Sequence, residues 1–137
     1  MASTLDAMVP SPYDGAVRPD DPPLETLQGT LDLLVLRALT WGPMHGYAVA
    51  RFIRDGSDGA LQVLDGALYT SLHRMEHRGW VEATWGVSDR GKRAKFYQLT
   101  ADGRTAVRRE AASWERYVAA VAGVLRAPAP VPGPASP

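Results

Sequence analysis

Apolar positions repeat at helical spacing three times before the period changes. In "TLQGTLDLLVLRALTWGP", Leu27, Leu31, Leu34, Val35, Ala38 and Leu39 share one face, and Gly42-Pro43 ends the run. Leu33 and Leu36 make the same helix apolar on a second side, so it lies centrally in the core or is shared with a partner. "HGYAVARFIRDG" predicts a short helix packing Val49, Phe52 and Ile53 and closing near Gly56. "DGALYTSLHRMEHRG" predicts a third, from Ala67 to Arg78, anchored by Leu68, Leu72 and Met75 and stopped by Gly79.

After Gly79 the alternation has period two. Val81, Ala83 and Trp85 alternate with Glu82 and Thr84 in "WVEATWGV", and "KFYQL" repeats the pattern with Tyr97 and Leu99 inward. Trp85 is expected in the core and Trp80 partly so. "SDRGKRA" between these strands is a hairpin loop around one glycine, and Thr100 caps a long helix. On that helix Val107, Ala111, Trp114, Val118, Val121 and Leu125 form a heptad seam over roughly 37 Å. A second copy of the helix, together with Leu33 and Leu36, would cover that seam; folding back onto its own domain is the alternative.

The order helix, helix, helix, strand, basic loop, strand, helix is that of a winged helix-turn-helix: mainly α with a small β-hairpin, plus a long C-terminal dimerisation helix. Proline sets its limits. Of 11 prolines all but Pro43 fall in residues 10–23 and 128–137. Residues 1–23 and 127–137 are therefore expected to be disordered tails, the first acidic. Residues 24–99 form the winged domain and 100–126 the dimerisation helix.

The formal net charge is zero, but its distribution is uneven. Residues 1–26 carry five acids against Arg18, whereas residues 66–98 carry six bases against Glu76, Glu82 and Asp89. Arg90, Lys92, Arg93 and Lys95 crowd the hairpin tip. Such a tip can displace counterions from a duplex backbone, a sequence-blind contribution, or simply keep a sheet edge soluble. The helix before it has the two faces a groove reader needs. Ala67 would permit close approach, Tyr69 can donate to a phosphate, and Arg74 can bind phosphate or a guanine edge; Thr70, His73 and His77 lie off the anchored face. An amphipathic surface helix would look similar.

Other chemistry is poorly supplied. There is no cysteine, and no apolar run approaches a membrane span, which fits a cytoplasmic protein without membrane contact. His73 and His77 have the i, i+4 spacing of metal ligands, but no further ligand accompanies them, so no metal or cofactor is expected. No phosphate loop or nucleophile with a base points to an enzyme. A winged helix serving only protein–protein contact is the rival reading.

Three ordered blocks, "GTLDLLVLRALTWGPMHGYAVARFI", "ALYTSLHRMEHRGWVEATWG" and "GKRAKFYQLTADG", resemble the PadR family of bacterial transcriptional regulators over about residues 27–125. The resemblance implies a homodimeric repressor on a two-fold-related double-stranded DNA operator. It carries over Tyr47, Tyr69, Ser71 and Arg74 as DNA contacts, with Lys92, Arg93 and Lys95 in the wing. Thr70 stands where proline is frequent in the family, which affects the helix start. Trp114 corresponds to a tryptophan that stacks planar drugs in multidrug-sensing members, implying a planar hydrophobic effector, although its residue type is accounted for first as a bulky interface residue.

Overall fold

The computed structural model describes residues 24–25 and 28–133. Leu27 and the acidic tail of residues 1–23 lie outside the described residues, as do residues 134–137. The elements in chain order are β1 (Leu24–Glu25), α1 (Gln28–Leu39), β2 (Met44–His45), α2 (Gly46–Gly56), β3 (Leu61–Gln62), α3 (Asp65–His77), β4 (Val81–Val87), β5 (Arg93–Leu99) and α4 (Ala101–Arg126). Residues 127–133 continue from α4 without helix or strand.

The core is where the helical and strand periods converge. Leu31, Val35, Ala38 and Leu39 of α1 meet Val49 and Ile53 of α2, Leu68, Leu72 and Met75 of α3, and Val81, Tyr97 and Leu99 of the hairpin. Leu36 and Val107 are buried in this same core. Both were expected at a dimer interface and cannot serve there. On the second apolar side of α1, Leu36 is covered within the protomer's own core, which includes Ala106 and Val107 of α4, while Leu33 stays half-buried.

The sheet has three strands rather than the two of a simple hairpin. β5 is central, with β4 and β2 antiparallel on either side, in register Trp85↔Lys95, Ala83↔Tyr97 and Met44↔Tyr97. A second small sheet pairs β1 with β3 in parallel, Leu24 opposite Leu61. His45, expected within the second helix, ends β2 and caps α2: its Nδ1 accepts the Ala48 N–H at 3.2 Å. α3 begins two residues before Ala67, after an extended Leu64.

The stops behave as their residues dictate. Past α3, Trp80 N–H reaches Met75 C=O at 3.0 Å and Gly79 N–H reaches Glu76 C=O at 3.1 Å, with Gly79 at φ 79°. That paired C-terminal closure needs left-handed backbone, which glycine adopts without Cβ strain. It turns the chain from α3 directly into β4. Thr100 then fastens both ends of the hairpin, donating its hydroxyl to Gly79 C=O at 2.6 Å and its N–H to Trp80 C=O at 3.0 Å. The same hydroxyl accepts from Gly103 N–H at 3.0 Å and so caps α4.

Trp85 departs from its expected place. It is 61 % exposed, with Arg93 stacked 4.5 Å from its ring centroid. Alternation told correctly which face it occupies, but that face runs past the helices toward the wing tip.

Candidate nucleic-acid interface

α3 is anchored by Leu68, Ser71, Leu72 and Met75, all buried. The residues left outward are Asp65 and Gly66 at the helix start, then Ala67, Tyr69, Thr70, His73 and His77. Helical spacing sets Thr70, His73 and His77 on one stripe, with Tyr69 at its edge. Tyr69 leans over the start of α2: a Cβ on Gly46 would stand 2.9 Å from its hydroxyl. The reader face therefore continues onto α2, where Tyr47 is exposed and Arg51, one turn later, stacks 5.6 Å from its ring centroid.

The wing completes the surface. Its turn closes through Ser88 N–H to Lys92 C=O at 2.7 Å and Gly91 N–H to Ser88 C=O at 2.9 Å, with Gly91 at φ 72°. That geometry leaves Arg90, Lys92 and Arg93 exposed at the tip. Arg90 and Asp89 face Tyr47 and Arg51 across a cleft of 470 Å³ that His45 and Ala48 also line. Lys95 turns toward α3 instead, lying over the Tyr97 ring at 5.6 Å with Nζ 3.9 Å from Glu76. Wing and α3 are thus joined along one edge, and three cations stand clear of it.

Besides Lys95, two residues expected at DNA are engaged elsewhere. Ser71 is fully buried, and its hydroxyl donates to Asp32 of α1 at 2.6 Å, so it cannot reach a groove. Arg74 lies on the flank of the reader stripe and makes a two-pronged bond to Asp32, Nε to Oδ2 at 3.1 Å and Nη2 to Oδ1 at 2.5 Å. The hydrogen bond to Asp32 raises the Arg74 pKa, with burial opposing and the Asp32 charge reinforcing. Its charge is fixed at any working pH.

Sequence reasoning missed Arg51 and Asp32, and placed Arg90 in the basic tip without seeing that it faces α2 across the cleft. Arg51 is four residues after Tyr47, a spacing that places the two together on a helix; Arg90 belongs to the basic tip; Asp32 is a lone acid in an apolar helix. His73 and His77 are exposed, and no group of three potential metal ligands occurs among the described residues.

On α4, Ala111 and Val118 are half-buried, while Trp114, Tyr117, Val121, Val124 and Leu125 are exposed. Trp114 and Tyr117 lie 6.3 Å apart by ring centroids, and with Leu33, Glu110 and Ser113 they border a groove of 390 Å³. No helix among the described residues is long and apolar enough to cross a membrane.

A three-helix core, an edge strand contributed from between the first two helices, and a basic hairpin beside an outward-facing third helix define the winged helix-turn-helix class. The profile of the "Transcriptional regulator PadR-like family" matches residues 35–109, over half of the sequence, and the chain belongs to that family. An uncharacterized protein of Lysinibacillus sphaericus is 32 % identical over 81 residues, spanning 58 % of this chain and 73 % of that protein. Among solved structures the chain is similar to a PadR family transcriptional regulator from Eggerthella lenta DSM 2243, with 28 % identity and TM-score 0.63 over 74 % of this chain and 86 % of that one. A PadR-like transcriptional regulator from Bacillus cereus strain ATCC 14579 shares the fold, with TM-score 0.64 at 24 % identity over 74 % and 97 % of the two chains.

Proposed function

We propose that this regulator is a homodimeric repressor, acting in the cytoplasm, that binds a two-fold-related operator in double-stranded DNA. In this reading α3 enters the major groove with Ala67, Tyr69 and Thr70 leading, and the wing lays Lys92 and Arg93 on the backbone. Arg51 and Arg90 add to that grip from either side of the cleft beside Tyr47. The observation that carries the reading is the continuity of one exposed surface, from Thr70 and His73 through Tyr69 and Tyr47 to Arg90. Base edges are read by such polar side chains, while cations displace counterions without regard to sequence.

The exposed apolar stripe of α4 supports the dimer. Trp114, Val121 and Leu125 face solvent on the seam where a second copy of α4 would pack, with half-buried Ala111, Val118 and Leu33 beside them. Two readers held this way would stand about 34 Å apart, one turn of DNA. The Trp114–Tyr117 pair beside its groove supports a planar hydrophobic effector that changes the angle between the two copies.

The test is selection from a random duplex pool by the full chain, followed by salt-titrated fluorescence anisotropy on the recovered duplex and a scrambled one. Two inverted half-sites about one helical turn apart, with binding that weakens steeply as salt rises, are the expected result. Recovery of no common sequence, with salt-insensitive or absent binding, would refute the reading and favour a protein–protein module.

A further inference from the structure

Asp32 sits mid-way along α1, and its carboxylate is where two side chains of α3 converge. Ser71 Oγ donates to Oδ1 at 2.6 Å; Arg74 donates to Oδ1 at 2.5 Å and to Oδ2 at 3.1 Å. The side chains of Arg74 and Asp32 are only 24 % and 13 % exposed. Among the described residues Ser71 is the one buried polar residue of the core, and it is satisfied by this carboxylate. Beyond it, the pair borders a groove of 360 Å³ shared with Leu33, Trp80 and Glu110.

Among the described residues the core between α1 and α3 is otherwise apolar. Leu68, Leu72 and Met75 hold α3 against the core, but hydrophobic contact is not directional and tolerates small rotations. A rotation of roughly 20° about the helix axis would move an outward side chain by about 2 Å, given a helix radius with side chains of about 5–6 Å. That displacement exceeds the distance range of a hydrogen bond to a base edge. A planar guanidinium held at two points, with a hydroxyl one turn away on the same carboxylate, resists this rotation because it requires a specific orientation.

From this arrangement we infer that Asp32 is a positioning residue for the recognition helix, and that Arg74 serves DNA binding through Asp32 rather than by touching DNA. The inference rests on the DNA-binding reading above and makes a separate claim within it. Arg74 contributes to the choice of sequence and not to the count of phosphate contacts.

Three variants separate the roles: Arg74→Gln, Arg74→Lys and Asp32→Asn. Each is titrated against the duplex selected by the unaltered chain and against a scrambled duplex, over a series of salt concentrations. For Arg74→Gln the selected duplex should bind about tenfold more weakly, a change of ~1.4 kcal/mol. Affinity for the scrambled duplex and the salt slope should stay as they were. Arg74→Lys keeps the charge but loses the planar fork, and should give the same pattern; it also serves if the glutamine variant does not fold. Asp32→Asn releases a cation and should steepen the slope on scrambled DNA by about 0.9 for each new phosphate contact. The inference is overturned if Arg74→Gln flattens the slope by that amount and weakens both duplexes alike, or if Arg74→Lys binds as well as the unaltered chain. Unchanged preference in all three variants also overturns it, leaving an ordinary structural ion pair. An unaltered chain that binds neither duplex removes the DNA-binding reading and this inference with it.

Discussion

Two glycines of α4 should respond to alanine with opposite signs. Gly103 lies in the first turn, where a Cβ would stand 2.0 Å from Trp80 O, 3.0 Å from Trp80 C and 3.2 Å from a Leu99 methyl. The nearest of these is backbone, and that oxygen also accepts the Thr100 N–H at 3.0 Å. Restoring ordinary contact requires the helix start and the hairpin base to separate by about 1 Å or more, an overpacking that costs ~1–3 kcal/mol. Loss of the Thr100 bond adds about 1 kcal/mol. Better helix propensity returns at most ~1 kcal/mol. Gly103→Ala should therefore lose about 2 kcal/mol, which for a domain near 100 residues lowers Tm by on the order of 10 °C. At Gly123 a Cβ would meet nothing within 4 Å, so Gly123→Ala should gain up to ~1 kcal/mol. Thermal unfolding followed by circular dichroism, at one protein concentration, compares them directly. If Gly103→Ala is neutral or stabilising, the close approach of α4 to the Trp80 carbonyl is refuted.

Three further outcomes follow from particular contacts. Gly46→Ala would place a methyl 2.9 Å from the Tyr69 hydroxyl, but that ring is half-exposed and can swing away; stability should stay within about 0.5 kcal/mol while anisotropy shows weaker DNA binding. The Tyr97 hydroxyl has its pKa raised, first by burial and then by the charges of Glu76 and Tyr69. An unfolded chain therefore releases this proton first, as pH passes about 10, and binds fewer protons than the folded one above that point. Stability should be insensitive to Tyr97 below about pH 10 and should fall above it; urea midpoints across that range, compared with Tyr97→Phe, check the sign. Introducing Val121→Glu and Leu125→Glu together should convert a dimer to monomers by sedimentation, leaving the far-ultraviolet spectrum of the winged domain in place.

Much of the architecture was legible because its signals are periodic or local. Leu68, Leu72 and Met75 fix the buried face of α3, Thr100 and Gly79 mark their helix ends, and the basic tip at Arg90–Lys92 identifies the wing. β1, β2 and β3 were not legible, since two residues carry no period and their pairing is set by chain segments distant in sequence. Trp85 was misplaced because alternation reports the face of a strand and not how far the helices extend beneath it. Leu36 and Val107 were assigned outside the protomer because an apolar helix face looks the same whether its own chain or a second copy covers it. Ser71 fits both a groove contact and a buried joint by residue type. Only the position of Asp32, 39 residues earlier, decides between them.

The central claim is that α3 chooses the sequence while the wing supplies sequence-blind grip. Salt-titrated anisotropy on the selected and scrambled duplexes tests it most directly, with one variant in each element. Lys92→Gln with Arg93→Gln should flatten the salt slope by about 1.8 per protomer and weaken both duplexes alike. Thr70→Ala with His73→Ala should keep the slope and reduce the preference for the selected duplex. The account is contradicted if the wing variant alters preference alone, or if the α3 variant leaves preference untouched.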